Sequence, residues 1–272
     1  MKKHGKFQKN SFRKNLLLVA MLPALASFSV SADSYWTNST GNNQFLDVNN
    51  WDTLSPPSLS AGDIYLLDSG GQFVNFDLNN TYPNFEYGDG SMYIGRGAGN
   101  DARLQLTHTD TGTGYPNYAY LGGNAVIGSE GASGALEYRH GDASSGASSN
   151  IDFMSLTIGS GLNSQGSVSL FGTGKAVTEQ YMSYYAVQAD RLQVGVDGGK
   201  GSLSVDGSNM SIDKGAWANP TDFAFSLGNG TNSQGSMNVL SGGKVVISPS
   251  MGGGYLHWTF SRYRLESGGA AR

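Results

Sequence analysis

Apolar and polar residues alternate in short runs between residues 82 and 247, and each run follows the same mark, an aliphatic residue and a glycine. The pairs are Ile94-Gly95, Ile127-Gly128, Ile158-Gly159, Val194-Gly195 and Leu227-Gly228, at intervals of 33, 31, 36 and 33 residues. Six or seven residues on stands a second small position: Ala102, Gly134, Gly166, Gly201 and Gly235. The second and fourth residues after it are large and apolar, as Leu104/Leu106, Leu136/Tyr138, Val168/Leu170, Leu203/Val205 and Met237/Val239. An apolar residue at every second position is the period of a half-buried strand, and no 3.6-residue period interrupts it. A short unit with two or three such strands cannot bury its apolar face alone, so it must stack on copies of itself. The pattern predicts an all-β chain, a parallel β-helix (β-solenoid) of about 33-residue repeats with an N-terminal cap. A β-propeller needs four strands per blade and longer repeats, which this spacing does not supply.

The copies extend beyond the glycines. Tyr82-Pro83-Asn84-Phe85-Glu86-Tyr87 is answered 33 residues later by Tyr115-Pro116-Asn117-Tyr118-Ala119-Tyr120, and Leu156 to Lys175 is answered 69 residues later by Phe225 to Lys244. Stacking in register would set Tyr82/Tyr115, Phe85/Tyr118 and Tyr87/Tyr120 into aromatic ladders, with Tyr184-Tyr185 in a related place. Inward ladders would pack the core, the favoured expectation; outward ones would offer flat platforms to sugars.

Four segments follow: 1–32, a leader; 33–80, a capping segment; 81–247, the solenoid repeats; and 248–272, an irregular tail. Trp36 and Trp51 in the second segment are expected to close the exposed end of the stack, a Trp-lined ligand site being the alternative. In the tail the next aliphatic-Gly pair is replaced by Phe260-Ser261, so the expectation is a reading frame truncated or shifted near residue 250.

The leader carries Lys2, Lys3, Lys6, Lys9, Arg13 and Lys14, then the apolar run Leu16 to Leu25, then Val30-Ser31-Ala32. That order predicts an export signal cleaved between Ala32 and Asp33. Without it, 11 Lys and Arg face 21 Asp and Glu, a net charge of −10. Such an acidic surface repels nucleic acid and anionic lipid. No apolar stretch of the mature chain approaches the roughly 20 residues of a transmembrane helix. There is no cysteine, so disulfides cannot support the fold. Forty glycines suit a turn-rich β protein, while 14 tyrosines and regular alternation argue against a disordered chain.

Motifs for nucleophilic, phosphate or zinc-protease chemistry are missing. One constellation stands out: His108-Thr109-Asp110 and His140-Gly141-Asp142 occupy the same slot on consecutive repeats. Stacking would bring His108 near His140 and Asp110 near Asp142, about one strand spacing of ~4.8 Å apart. Imidazoles and carboxylates so placed are weak candidates for a metal site, and paired carboxylates for retaining glycoside chemistry. The slot becomes Gly172/Gly174, Gly207/Asn209 and Ser241/Gly243 further on, so an ordinary turn role is favoured, with no cofactor expected. Other acids (Glu130, Glu137, Asp152, Asp190, Asp197, Asp206, Asp213) are scattered singly, which speaks against an enzyme.

The repeat LxIGxxxxxxGSΦxΦxxxG, the opening from Trp36 through Asn50-Trp51 to Asp63, and the long basic leader together resemble passenger domains of type V autotransporters. The resemblance covers residues 1 to 247. It implies a right-handed parallel β-helix at a Gram-negative cell surface, adhesin-like, with a protein or glycan of a host or neighbouring cell as partner. Such families carry a C-terminal barrel of tilted strands of about 9–11 residues, which nothing after residue 247 resembles. The expectation is therefore a passenger fragment, a truncated product without activity, or a protein exported by another route. The product would be secreted or surface-displayed, and periplasmic if the lack of a barrel prevents translocation. A secreted glycan-active β-helix enzyme is the alternative. An uncovered last coil would also favour edge-to-edge self-association.

Overall fold

The computed structural model describes residues 33–55, 57, 62–78, 90–108, 118–120, 123–141, 150–173, 185–214, 225–251, 254–255, 258–260 and 264–268. The leader and Ala32 lie outside the described residues, which begin at Asp33. The architecture is a parallel β-solenoid whose coils present three rows of strands. Row one holds Tyr118–Tyr120, Asn209–Lys214 and Lys244–Met251. Row two holds Ile64–Leu66, Ser91–Arg96, Asn124–Ser129 and Phe225–Asn229. Two longer strands, Asn150–Ser160 and Val187–Val196, run through both rows, pairing with row-one neighbours by their first halves and row-two neighbours by their second. The register skips Met154 and Asp190 between those halves, which marks the corner. Row three holds Phe73–Asp77, Asp101–His108, Ser133–His140, Gln165–Phe171, Lys200–Asp206 and Gln234–Leu240.

The register is the one the repeat demands. Gly166 lies opposite Gly134 and Gly201, Val168 opposite Leu136 and Leu203, and Leu170 opposite Tyr138 and Val205. These apolar columns, with Ile94, Ile127, Ile158 and Val194 of row two, are all under 5% exposed. Each such burial contributes about 1.5–3 kcal/mol, and each layer is sealed only by the layers beside it. The second glycine of the motif is a matter of space. A Cβ on Gly134 would collide with the Ile94 carbonyl oxygen and the Gly128 amide, so only glycine lets the row-two backbone approach row three this closely. Between these rows, Gly131 N–H donates to Ser164 Oγ at 2.9 Å and Gly198 N–H to Ser233 Oγ at 2.8 Å, stapling each bend to the next coil through a buried hydroxyl.

The coil geometry begins before the glycine motif does. Ile64–Leu66 pairs in parallel with Met92–Ile94, and Phe73–Asp77 with Arg103–Thr107. The cap proper is aromatic. Trp36 and Trp51 bridge as antiparallel neighbours with ring centroids 5.3 Å apart, Phe45 lies edge-on to Trp51 at 5.0 Å, and Phe45 stacks on Phe76 at 4.6 Å. Trp51 is 1% exposed, and its indole N–H donates to the Phe45 carbonyl at 2.7 Å. These rings cover the end of the core rather than line an opening.

The tail differs from the expected irregularity. Trp258–Phe260 runs antiparallel to Val245–Ile247, Gly254–Tyr255 to Ser250–Met251, and Arg264–Gly268 to Gln234–Asn238. Without an aliphatic-Gly pair to start another coil, the chain reverses, and its strands pair with the exposed edges of rows one and three. That pairing is the usual remedy for an open sheet edge. No helix among the described residues is long and apolar enough to cross a membrane.

Candidate functional site

The His slot forms as the register predicts, His108 opposite His140. His108 is 2% exposed. His140 packs on Tyr138, with ring centroids 5.3 Å apart. Its Nδ1 lies 2.9 Å from the Gly141 carbonyl oxygen and its Nε2 2.6 Å from Ser208 Oγ. Burial pushes the imidazole below its ordinary pKa of 6.5, and His108 adds to this, while the Gly141 carbonyl opposes it. A neutral ring then assigns itself: Nδ1–H donates to Gly141 and Nε2 accepts from the Ser208 hydroxyl. In that state both nitrogens of His140 are occupied, and its role is to join coils. Asp110 and Asp142 lie outside the described residues, and among the described residues no group of three or more His, Cys, Asp or Glu could hold a metal ion.

The expected ladders through Tyr82, Phe85, Tyr87, Tyr115 and Tyr184 fall outside the described residues, as do the side chains of Tyr118 and Tyr120. A different ladder stands on the outer side of row two. Tyr35 stacks on Tyr65 at 4.6 Å and Tyr65 on Tyr93 at 5.0 Å, with rings within 7° of parallel. The Arg96 guanidinium sits 4.6 Å from the Tyr93 centroid and is paired with Glu130 at 2.8 Å. Because the column runs along the solenoid, each inner ring face is covered by its neighbour and only edges point outward. The ladder is thus a support for the sheet rather than a sugar platform. Tyr65 O–H donates to Asp63 at 3.1 Å, and burial, with that bond and nearby carboxylates, pushes the phenol up to about 12. The signal was present as a tyrosine inside each of Ser34-Tyr35-Trp36, Ile64-Tyr65-Leu66 and Met92-Tyr93-Ile94, ahead of the glycine motif.

Two acids read as scattered come under mutual influence. Asp152 is pushed up to about 6, chiefly by burial and then by the charge of Asp190, and its Oδ1 is buried with no hydrogen-bond partner among the described residues. Two other acids are paired with arginines on their own strands. Asp101 receives two bonds from Arg103, at 3.3 and 3.1 Å, and Glu137 pairs with Arg139 and accepts from Gln105 Nε2 at 3.2 Å.

An open feature lies on the outer side of row three, where the repeat places a small residue directly after each bend glycine. Ser167, Ser202 and Ser236 stand in register as a floor. Gln165, Lys200 and Gln234 form a second column beside them, and the Asp101–Arg103 pair lies at one end. Together they line a trough of about 740 Å³ spanning several coils. Sequence reading missed it because its residues, Gly, Ser and Gln, carry no catalytic signature; only their repetition in register makes a surface. The chain matches no protein-family model, no curated protein and no solved structure.

Proposed function

We propose that this chain is an exported, non-catalytic, adhesin-like β-helix of the autotransporter-passenger kind, which binds ligands of a neighbouring cell surface through its long face. The observation that carries this reading is the solvent-open trough of repeated hydroxyl and amide side chains on row three. A surface built by repetition suits an extended ligand and lacks the converging acid, base or nucleophile that catalysis requires. The basic leader supports export, and the repeat pattern supports the passenger resemblance. Fractionation of cells carrying an epitope tag after Asp33, with an adherence assay on the same cells, tests the proposal. Tagged protein on the cell surface together with adherence that is lost when the gene is deleted is the expected result. Protein confined to the periplasm, or adherence unchanged when the gene is deleted, overturns it.

A further inference from the structure

We infer that the row-three trough binds an uncharged linear polysaccharide lying along the solenoid axis; this rests on the adhesive reading and names its ligand. The backbone groups of a sheet face are already engaged in the ladder between coils, so the face offers only side chains. An added polypeptide strand pairs with a sheet edge, and the far edges of rows one and three already carry antiparallel strands. What remains for the trough is side-chain chemistry.

That chemistry is polar and nearly neutral. The floor is Ser167, Ser202 and Ser236, and the flank is Gln165, Lys200 and Gln234. Asp101 and Arg103 cancel one another through two hydrogen bonds, leaving Lys200 as the unbalanced charge of the lining. One ammonium on a chain of net −4, or −10 without residues 1–32, does not attract a polyanion, which needs a row of cations. Nor does an apolar partner suit a floor of hydroxyls, which would be desolvated without compensation. Hydroxyls and amides that both donate and accept match a polymer of neutral hydroxyls. The groups recur once per coil, at about the 4.8 Å strand spacing, so successive sugar units meet equivalent partners only if the polymer follows the axis. Small side chains on the floor leave room for a ring, while the longer Gln and Lys side chains flank it.

The test is affinity electrophoresis of the purified full chain in gels holding hydroxyethyl cellulose, galactomannan or dextran as neutral probes and alginate as an acidic one. Retardation by at least one neutral polymer, unchanged by added salt, is expected. Ser202→Tyr, which fills the floor, should weaken that retardation about tenfold or more. Thr157→Tyr is the folding control, since Thr157 lies in the outward column that begins with Tyr35, Tyr65 and Tyr93. Retardation by no neutral polymer, retardation by alginate alone, or a Ser202→Tyr variant equal to the wild type overturns the inference. Adherence of whole cells separates the two readings. Adherence that survives periodate oxidation of the target surface keeps the adhesive reading and removes the polysaccharide, whereas absence of adherence and of retardation removes both.

Discussion

His140 and Ser208 are hydrogen-bonded at 2.6 Å although a complete coil separates them. The imidazole passes the intervening coil at Gly172, where a Cβ would stand 2.8 Å from His140 Cε1 and collide with the Gly207 carbonyl oxygen. Gly172, which replaces histidine in the slot on that coil, therefore makes the cross-coil bond sterically available. Substitution separates the two contributions. Ser208→Ala should cost about 1 kcal/mol, the worth of one hydrogen bond. Gly172→Ala should cost roughly 2–4 kcal/mol, because it also displaces the Gly207 backbone. In a His140→Ala background the Ser208 effect should disappear while most of the Gly172 effect remains. Urea unfolding of the three single variants and the two double variants, beside the wild type, measures these terms.

His140 also makes the fold acid-sensitive. Its folded pKa is lowered beneath 6.5, so below that pH the unfolded chain takes up a proton that the folded chain resists. Stability from the neutral ring is fully present above pH 6.5 and is lost as pH falls below it. His140→Gln should flatten this decline. Urea midpoints at pH 7.5, 6.5 and 5.5 are the measurement, and an unchanged slope in the variant would contradict the assignment.

Asp152 works in the opposite sense. Its folded pKa of about 6 lies above the ordinary 3.8, so its charged form opposes folding at neutral pH. As pH falls through 6 the folded state binds the proton first, and the chain gains stability until the unfolded carboxyl also titrates. Asp152→Asn should raise stability at pH 7.5 by on the order of 1 kcal/mol, well short of the full linkage value because the carboxyl is partly open to solvent. The gain should vanish at pH 4. Asp190→Asn, which removes the charge but not the burial, should recover only the smaller part.

The solenoid was legible because its physics is periodic. A small residue at the bend, glycine in four of the five units and Ala102 in the first, and large apolar residues two and four positions later recur in every unit, since each must fit the same backbone approach and fill the same core column. Those constraints act where neighbouring coils touch, so the positions of Gly134, Leu136 and Tyr138 predicted the register that the strands adopt. The start of the stack was less visible. Ile64–Leu66 and Phe73–Asp77 pair like the later coils, yet lack the aliphatic-Gly pair by which a coil is recognised. The reversal at the tail was unreadable for a related reason, because antiparallel pairing leaves no repeat signal. The His slot was found but its partner was not: Ser208 lies 68 residues from His140, and nothing local couples them. The trough stayed hidden because serine after glycine looks like turn chemistry until several copies are aligned.

The N-terminal aromatic group carries more stability than its few residues suggest. Trp51 is buried against Trp36 and Phe45, and its N–H reaches the Phe45 carbonyl. Trp51→Ala should cost about 3–5 kcal/mol, as cavity-forming Trp deletions do. Trp51→Phe should recover the packing in part and leave the carbonyl unpaired. Because the end layer then opens first, cleavage by protease should move to the segment around residues 45–66 in Trp51→Ala. Uniform cleavage along the chain would argue against an end-capping role.

The tyrosine column sets a final expectation at alkaline pH. Tyr65 lies between Tyr35 and Tyr93, donates to Asp63, and holds its proton to about pH 12 rather than 10. Between those values the unfolded chain releases the phenolic proton and the folded chain keeps it, so stability falls as pH rises through the window. Tyr65→Phe keeps the stack and removes the titration. It should lose at most the modest worth of the Asp63 bond at pH 8, and should decline less than the wild type between pH 10 and 11.5. Tyr65→Ala removes the stack as well, leaving Arg96 with one ring, Tyr93, beside its Glu130 partner, and should be less stable than Tyr65→Phe at every pH by about 1 kcal/mol or more. Phenolate absorbance followed through the same range should show one late-ionising tyrosine disappear in Tyr65→Phe, and its persistence would transfer the raised pKa to another ring.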